Sequence, residues 1–188
     1  FSSFTLVSEE AGIKQIGARP QGFVIMDPID GSTNINQNIS FACIAIAFAS
    51  ELLFDAVEVS VVLDLFSGSC YHASKGAGAF RDRICISPSD NNPLKTSLVG
   101  VDAAFPPKYP RQTSKGKDQD SIKYTRHYGA NALELCYVAD GTIDGFIDLR
   151  GVFRGTDLAA ASLILKEAGA ALINDNGAAI EGECTNDA

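Results

Sequence analysis

Two aspartates three residues apart close a short apolar run. Phe23-Val24-Ile25-Met26 leads into Asp27-Pro28-Ile29-Asp30-Gly31, and Ser32, Thr33 and Asn34 follow at once. Pro28 presets its own φ and Gly31 admits conformations that other residues avoid, so a turn is expected between the acids, at the end of a strand. Carboxylate oxygens are ligands for hard cations such as Mg²⁺. Ser32, Thr33 and Asn34 stand where a helix can begin, and backbone N–H groups at a turn or helix start suit phosphate. Two more acids stand at element boundaries, Glu9 after an extended segment and Asp157 at the head of an Ala- and Leu-rich run. Singly, each has a plain reading. Asp157 suits a helix N-terminus, where a carboxylate gains ~0.3–1 kcal/mol from the dipole, and Asp27–Gly31 suits a surface turn. Their placement argues for more, because acids at strand ends converge over a sheet edge where α/β folds build sites.

The elements that must position these acids are legible from periodicity. Extended segments are expected at 4–7, 23–26, 41–49, 56–64 and 70–73, with a turn-and-strand unit at 76–86. These make a largely antiparallel first sheet. The second half changes period: strand 97–101, a proline-containing polar loop at 105–121, an extended stretch 123–128, helix 131–139, strand 146–149, helix 157–168 stopped by Gly169, and a closing strand 171–174. The expected fold is a layered α/β (α+β) sandwich, with an N-terminal metal-binding lobe over 1–96 and a smaller α/β lobe over 97–188.

With 188 residues and 46% hydrophobic content the chain can bury a sizeable core. Its net charge of −8 argues against nucleic acid or an anionic membrane as main partner. A phosphate ligand remains compatible if metal ions carry the local charge. Five cysteines without C-x-x-C spacing suggest reduced thiols and a cytoplasmic location. No apolar run reaches transmembrane length and no signal peptide is visible. The start at Phe1, close to strand-like sequence, reads as a piece of a longer protein. Gly76-x-Gly78 lacks the third glycine of a dinucleotide loop. His72 and His127 read as structural, and Lys115-Gly116-Lys117 as a solvated loop tip.

The motifs together resemble the inositol monophosphatase family of metal-dependent sugar phosphatases. Asp27–Asn34 is similar to its first signature, and Arg154-Gly155-Thr156-Asp157-Leu158-Ala159-Ala160-Ala161 to its second. Ser8-Glu9-Glu10, Lys75-Gly76-Ala77-Gly78-Ala79-Phe80 and Gly129-Ala130-Asn131-Ala132 resemble its Glu-Glu element, its Lys-Gly-x-Gly-Ala-Phe hairpin and its Gly-x-Ala-Ala helix start. All five lie in the family's order and span nearly the whole chain. The resemblance implies a sugar-phosphatase fold and two or three Mg²⁺ (or Mn²⁺) ions held by Glu9, Asp27, Asp30, Asp157 and the Ile29 carbonyl. It implies that Ser32, with Glu9, positions the attacking water, with Asp30 in the catalytic set, and that the Gly31 and Ser32 N–H groups hold the phosphate. Gly129, Ala130 and Asn131 would face the substrate, and the family is at least homodimeric. The family also places helices before the Glu-Glu element and further elements after the last helix.

The departures narrow the substrate. Thr156 replaces the Trp that usually precedes the second-signature Asp, and Ser32-Thr33-Asn34-Ile35 leans toward the fructose-1,6-bisphosphatase version of the motif. Both features resemble archaeal-type enzymes that act on inositol monophosphate and fructose 1,6-bisphosphate. A second phosphate needs cations, and Arg126, Arg150, Arg154 and Lys123 are the candidates, with Tyr124 as a hydroxyl donor. The expected activity is Mg²⁺-dependent hydrolysis of small sugar or polyol phosphate monoesters by direct attack of water. Two rivals stay open: a nucleotide 3′-phosphatase of the same family, which Thr33-Asn34 disfavours, and a non-catalytic metal- or phosphate-binding subunit.

Overall fold

A computed structural model describes residues 3–90, 95–103, 122, 124–151, 154–180 and 182–184. The loop at 105–121, with Lys115–Lys117, and Lys123 fall outside these residues. An eight-stranded sheet is ordered β2-β1-β3-β4-β5-β6-β7-β8. Its strands are β1 (Phe4–Ser8), β2 (Gly12–Ile16), β3 (Phe23–Asp30), β4 (Cys43–Ala49), β5 (Val57–Asp64), β6 (Cys70–Ser74), β7 (Ala79–Arg81) and β8 (Ile84–Cys85). β1 runs parallel to β3, and every other neighbouring pair is antiparallel. A second sheet is wholly parallel, β10-β9-β11, from β9 (Leu98–Asp102), β10 (Tyr124–Arg126) and β11 (Gly145–Asp148). Three α-helices, α1 (Ser32–Asn36), α2 (Asn131–Ala139) and α3 (Gly155–Ala168), and one 3-10 turn (Phe54–Ala56) complete the described elements.

One hydrophobic core draws on both halves of the sequence. The small residues Ala45, Ala47 and Ala49 of β4 are fully buried, as are Ala159, Ala160 and Ala161 of α3. Small side chains on both surfaces let a helix lie close to a sheet. α3 packs across β3 to β7 and against α2, and its residues from Gly155 to Leu165 are all buried. A helix without a polar face belongs inside the fold rather than on it. Tyr71 is fully buried on β6, and its hydroxyl donates to Asp140 Oδ2 at 2.9 Å, which also receives Arg81 at 3.1 Å. Tyr71→Phe is expected to cost about 1–2 kcal/mol without changing activity, as read by urea unfolding, because it leaves part of a buried carboxylate unsatisfied.

The structure corrects four expectations. β2 was not foreseen: its residues are all exposed and its isoleucines, 13 and 16, lie three apart, so it has no period-two signal. β3 does not stop at Met26 but runs to Asp30, and the expected turn is a shift of register inside the strand. The segment 171–174 forms no strand: only Ile173 makes an isolated bridge, to Ala179, and among the described residues the segment joins neither sheet. α3 begins at Gly155, so Asp157 is its third residue and Arg154 its N-cap. All five cysteines are free, and among the described residues no helix is long and apolar enough to cross a membrane.

Candidate active site

The register shift in β3 makes the site. Asp27 pairs with Ala45 and Asp30 with Cys43, so three steps along β3 match two along β4. In a regular strand, residues three apart face opposite sides, and one extra residue restores the same side. Asp27 and Asp30 are accordingly both buried, whereas Ile29 between them is exposed. Asp27 Oδ1 accepts the Ile29 N–H at 2.9 Å, which closes the local turn. Because β1 and β3 are parallel and Ser8 pairs with Met26, the residues after those two reach the same sheet edge. Glu9 thereby arrives beside Asp27. α3, packed on β3, delivers Asp157 from its first turn. Oxygens of Glu9, Asp27 and Asp157 all lie within 4.8 Å of one another. An all-carboxylate set of this kind fits hard divalent cations and offers nothing to a soft metal.

Asp30 stands beside these three rather than among them. Its Oδ2 accepts the Ala132 N–H at 2.7 Å and faces the Cys43 thiol at 3.7 Å. The donors come from the first turn of α2, where N–H groups have no partner within the helix. Burial, reinforced by the charge of Asp157, pushes the Asp30 carboxyl up to about 7. Burial and the charge of Asp27 push Asp157 up to about 6, and burial also raises Asp27. Such a crowd of acids is a place where cations are favoured.

A pH dependence follows. The ordinary value for these acids is 3.8, while Asp157 and Asp30 in the fold lie near 6 and 7. Between those limits the metal-free fold holds more protons than the unfolded chain. Its stability therefore falls as pH rises from about 4 through about 7. Glu134, raised by burial, adds the same sign. A divalent cation held by these acids needs them ionised, so the stabilisation it brings grows over the same window. Melting curves at pH 5 and 8, with and without Mg²⁺, are expected to show the larger Mg²⁺ shift at pH 8.

A cleft of about 590 Å³ opens over the acids. Gly31 forms its floor at φ 91°, in the left-handed region that glycine favours. The Nδ2 of Asn34, buried in α1, donates to the Phe41 carbonyl at 2.8 Å and the Tyr128 carbonyl at 2.6 Å. Phe41 stacks on Tyr128 with ring centroids 4.9 Å apart. Glu134 Oε1 then accepts the N–H groups of Tyr128 and Gly129, at 3.1 and 2.9 Å. The signature at 27–34 is thus tied directly to the turn that opens α2.

Of the expected substrate-facing residues, Gly31, Ser32, Gly129, Asn131, Arg150 and Arg154 line the cleft, together with Glu9, Asp27, Ile29, Asp30 and Asp157. Arg126 and Ala130 do not. Arg126 is exposed and its guanidinium donates to its neighbour's carbonyl, while Ala130 is fully buried against Gly31. Arg150 is at the cleft but committed: Nε and Nη2 bind Asp148 at 3.2 and 2.7 Å, and Nη1 binds Asp102 at 3.0 Å. Two carboxylates thus face its guanidinium. Arg154 pairs with Glu9.

Sequence reasoning missed Asp102 and dismissed His127, and both line the cleft. Asp102 ends β9 as Asp27 stands near the end of β3, so the strand-end rule that singled out Asp27 would have found it. His127 Nδ1 lies 3.7 Å from Asp102 Oδ1.

Known proteins resemble this chain in sequence and fold. A sequence profile of the inositol monophosphatase family matches residues 1–185. A relative from Methanothermobacter thermautotrophicus, named fructose-1,6-bisphosphatase/inositol-1-monophosphatase, is 35% identical over 187 residues, covering 95% of this chain and 65% of the relative. A relative from Methanococcus maripaludis, named bifunctional NADP phosphatase/NAD kinase, is 34% identical over 193 residues, covering 93% of this chain and 34% of the relative. A crystal structure of an inositol monophosphatase-fructose 1,6 bisphosphatase superimposes with a TM-score of 0.81 at 30% identity, covering 96% of this chain and 67% of that one. The chain thus spans about one third to two thirds of the length of these relatives. With five motifs in order, this fold and a profile match over nearly its whole length, the chain belongs to the inositol monophosphatase family.

Proposed function

We propose that this chain carries the site of a Mg²⁺-dependent phosphatase that hydrolyses small sugar or polyol phosphate monoesters, with inositol 1-phosphate and fructose 1,6-bisphosphate as the substrates to try first. The observation that carries the reading is the convergence of Glu9, Asp27 and Asp157, from three separate segments, within 4.8 Å, beside Asp30 and the Gly31 turn. When bound, two or three Mg²⁺ ions, or Mn²⁺ in their place, supply charge neutralisation for phosphate and a lowered pKa for water. The chain's own residues do the rest. Glu9, Asp27, Asp157, Asp30 and the Ile29 carbonyl would hold the ions. Ser32 and Glu9 orient the attacking water, with Glu9 taking its proton, and the Gly31–Ser32 backbone seats the phosphate. Arg150 and Arg154, the two arginines of the cleft, would meet a phosphate by exchanging carboxylate partners for it. The same reading makes the full-length protein a cytoplasmic homodimer.

A second reading has its own support: the Methanococcus maripaludis relative bears the name of an NADP phosphatase, so a phosphate on a nucleotide ribose is the alternative. Phosphate release by the full-length protein with Mg²⁺ from inositol 1-phosphate, fructose 1,6-bisphosphate, NADP and adenosine 3′,5′-bisphosphate separates them. Turnover of either of the first two supports the proposal. Turnover of a nucleotide alone selects the second reading, and Mg²⁺ binding without release from any of the four selects a non-catalytic subunit.

A further inference from the structure

The two cleft arginines differ in what they hold. Arg150 binds Asp148 and Asp102, neither of which belongs to the clustered set of Glu9, Asp27 and Asp157. Arg154 pairs with Glu9, which does. Burial first, and the charge of Asp27 next, raise the Asp157 carboxyl, and the charge of Arg154 works against that rise. One guanidinium thus acts on two of the three clustered acids, and a cation bound among them would repel it. Its side chain is 55% exposed, against 27% for Arg150. An exposed ion pair is worth little, so a stronger partner can replace either member. Arg154 is also the N-cap of α3 and makes no side-chain capping bond, so the helix does not depend on where its guanidinium points.

A divalent cation is the stronger partner for Glu9, and a phosphate dianion is the stronger partner for Arg154. Each exchange helps the other. A cation on Glu9 releases the guanidinium to the cleft, and a phosphate that takes the guanidinium leaves Glu9 to the cation. Arg150 offers no such link, because its partners lie outside the clustered acids. We propose that Arg154 is an internal counter-ion that competes with the divalent cation for Glu9 and thereby couples phosphate binding to metal affinity. Such coupling is reciprocal: phosphate tightens the metal by the factor by which the metal tightens phosphate. This rests on the phosphatase reading above and assigns one side chain to the regulation of that site.

The test titrates full-length protein with Mg²⁺ in a calorimeter at pH 8, with and without inorganic phosphate. That pH lies above the values near 6 and 7 of Asp157 and Asp30, so protonation of the acids does not limit binding. Without phosphate, Arg154→Gln is expected to bind Mg²⁺ about fivefold tighter than wild type, the upper range for one exposed ion pair. Phosphate is expected to tighten Mg²⁺ in both proteins through direct contact with the metal, but by about fivefold less in the variant, where Glu9 is already free. Unchanged or weaker Mg²⁺ affinity in Arg154→Gln, or an equal gain from phosphate in both proteins, overturns the inference. Release of phosphate from a sugar ester by wild type then leaves the phosphatase reading intact. A wild type that neither binds Mg²⁺ nor hydrolyses any phosphate ester overturns both.

Discussion

Asp27→Asn is expected to lower kcat/KM by about 10²–10³-fold or more while leaving the metal-free protein at least as stable as wild type. The loss follows from the position of Asp27 at the centre of the acid cluster, where removing one preorganised charge costs on this scale. The stability result follows from the repulsions that Asp27 imposes. Burial does most to raise Asp30, Asp157 and Asp27 itself, and the charge of Asp27 adds to the rise of the other two. Asparagine keeps the shape and the Oδ1 acceptor for the Ile29 N–H but removes the repulsion. Asp157→Asn is expected to behave alike. The measurements are steady-state phosphate release and melting curves in EDTA. An inactive variant that also melts several degrees lower would mean that the acids hold the fold together, and near wild-type release by either variant would sink the phosphatase assignment.

Gly31→Ala is expected to be the most damaging small substitution in the site, lowering stability by about 2–4 kcal/mol and activity with it. At φ 91° any L residue is strained. A Cβ there would also lie 2.9 Å from the Phe41 carbonyl oxygen, 3.1 Å from the Ala130 Cβ and 3.2 Å from the Ala42 Cα. Backbone atoms of this kind give way only if β4's approach or the α2 turn moves, which shifts Asp30 and Ser32 on either side. Gly68→Ala is the control: φ is 75° but nothing lies within 4 Å of the added carbon, so only the conformational cost of about 1–2 kcal/mol is expected. Urea unfolding of the two variants isolates the packing part. Equal losses would show that the close approach at Gly31 carries no energy.

Legibility from sequence tracked how local the causes were. β4 alternates small and large apolar residues over seven positions, and α2 and α3 are nine- and fourteen-residue helices rich in Ala and Leu, so each announces itself. β2 did not, because an exposed edge strand needs no apolar face and is held by its ladder to β1. The segment at 171–174 misled, because it meets only the short return at 178–180, through one isolated bridge, and joins neither sheet among the described residues. The acids were legible from type and boundary position, and Asp102 was passed over although it occupies the same kind of boundary. The arginines were not legible at all. A guanidinium reads the same in sequence whether it faces solvent, a phosphate or a carboxylate, and only the folded structure pairs Arg150 with Asp148 and Asp102 and Arg154 with Glu9.

By itself, then, the sequence determined the family, the layered α/β character and the acids at the sheet edge, since these depend on residue type, short spacing and periodicity. Tertiary structure alone decided which of those acids meet. The bulge that turns Asp27 and Asp30 to one side, the parallel pairing that brings Glu9 to Asp27, and the packing of α3 that delivers Asp157 are contacts between segments distant in the chain. Their geometry is set by the shared core, and no stretch of sequence carries it.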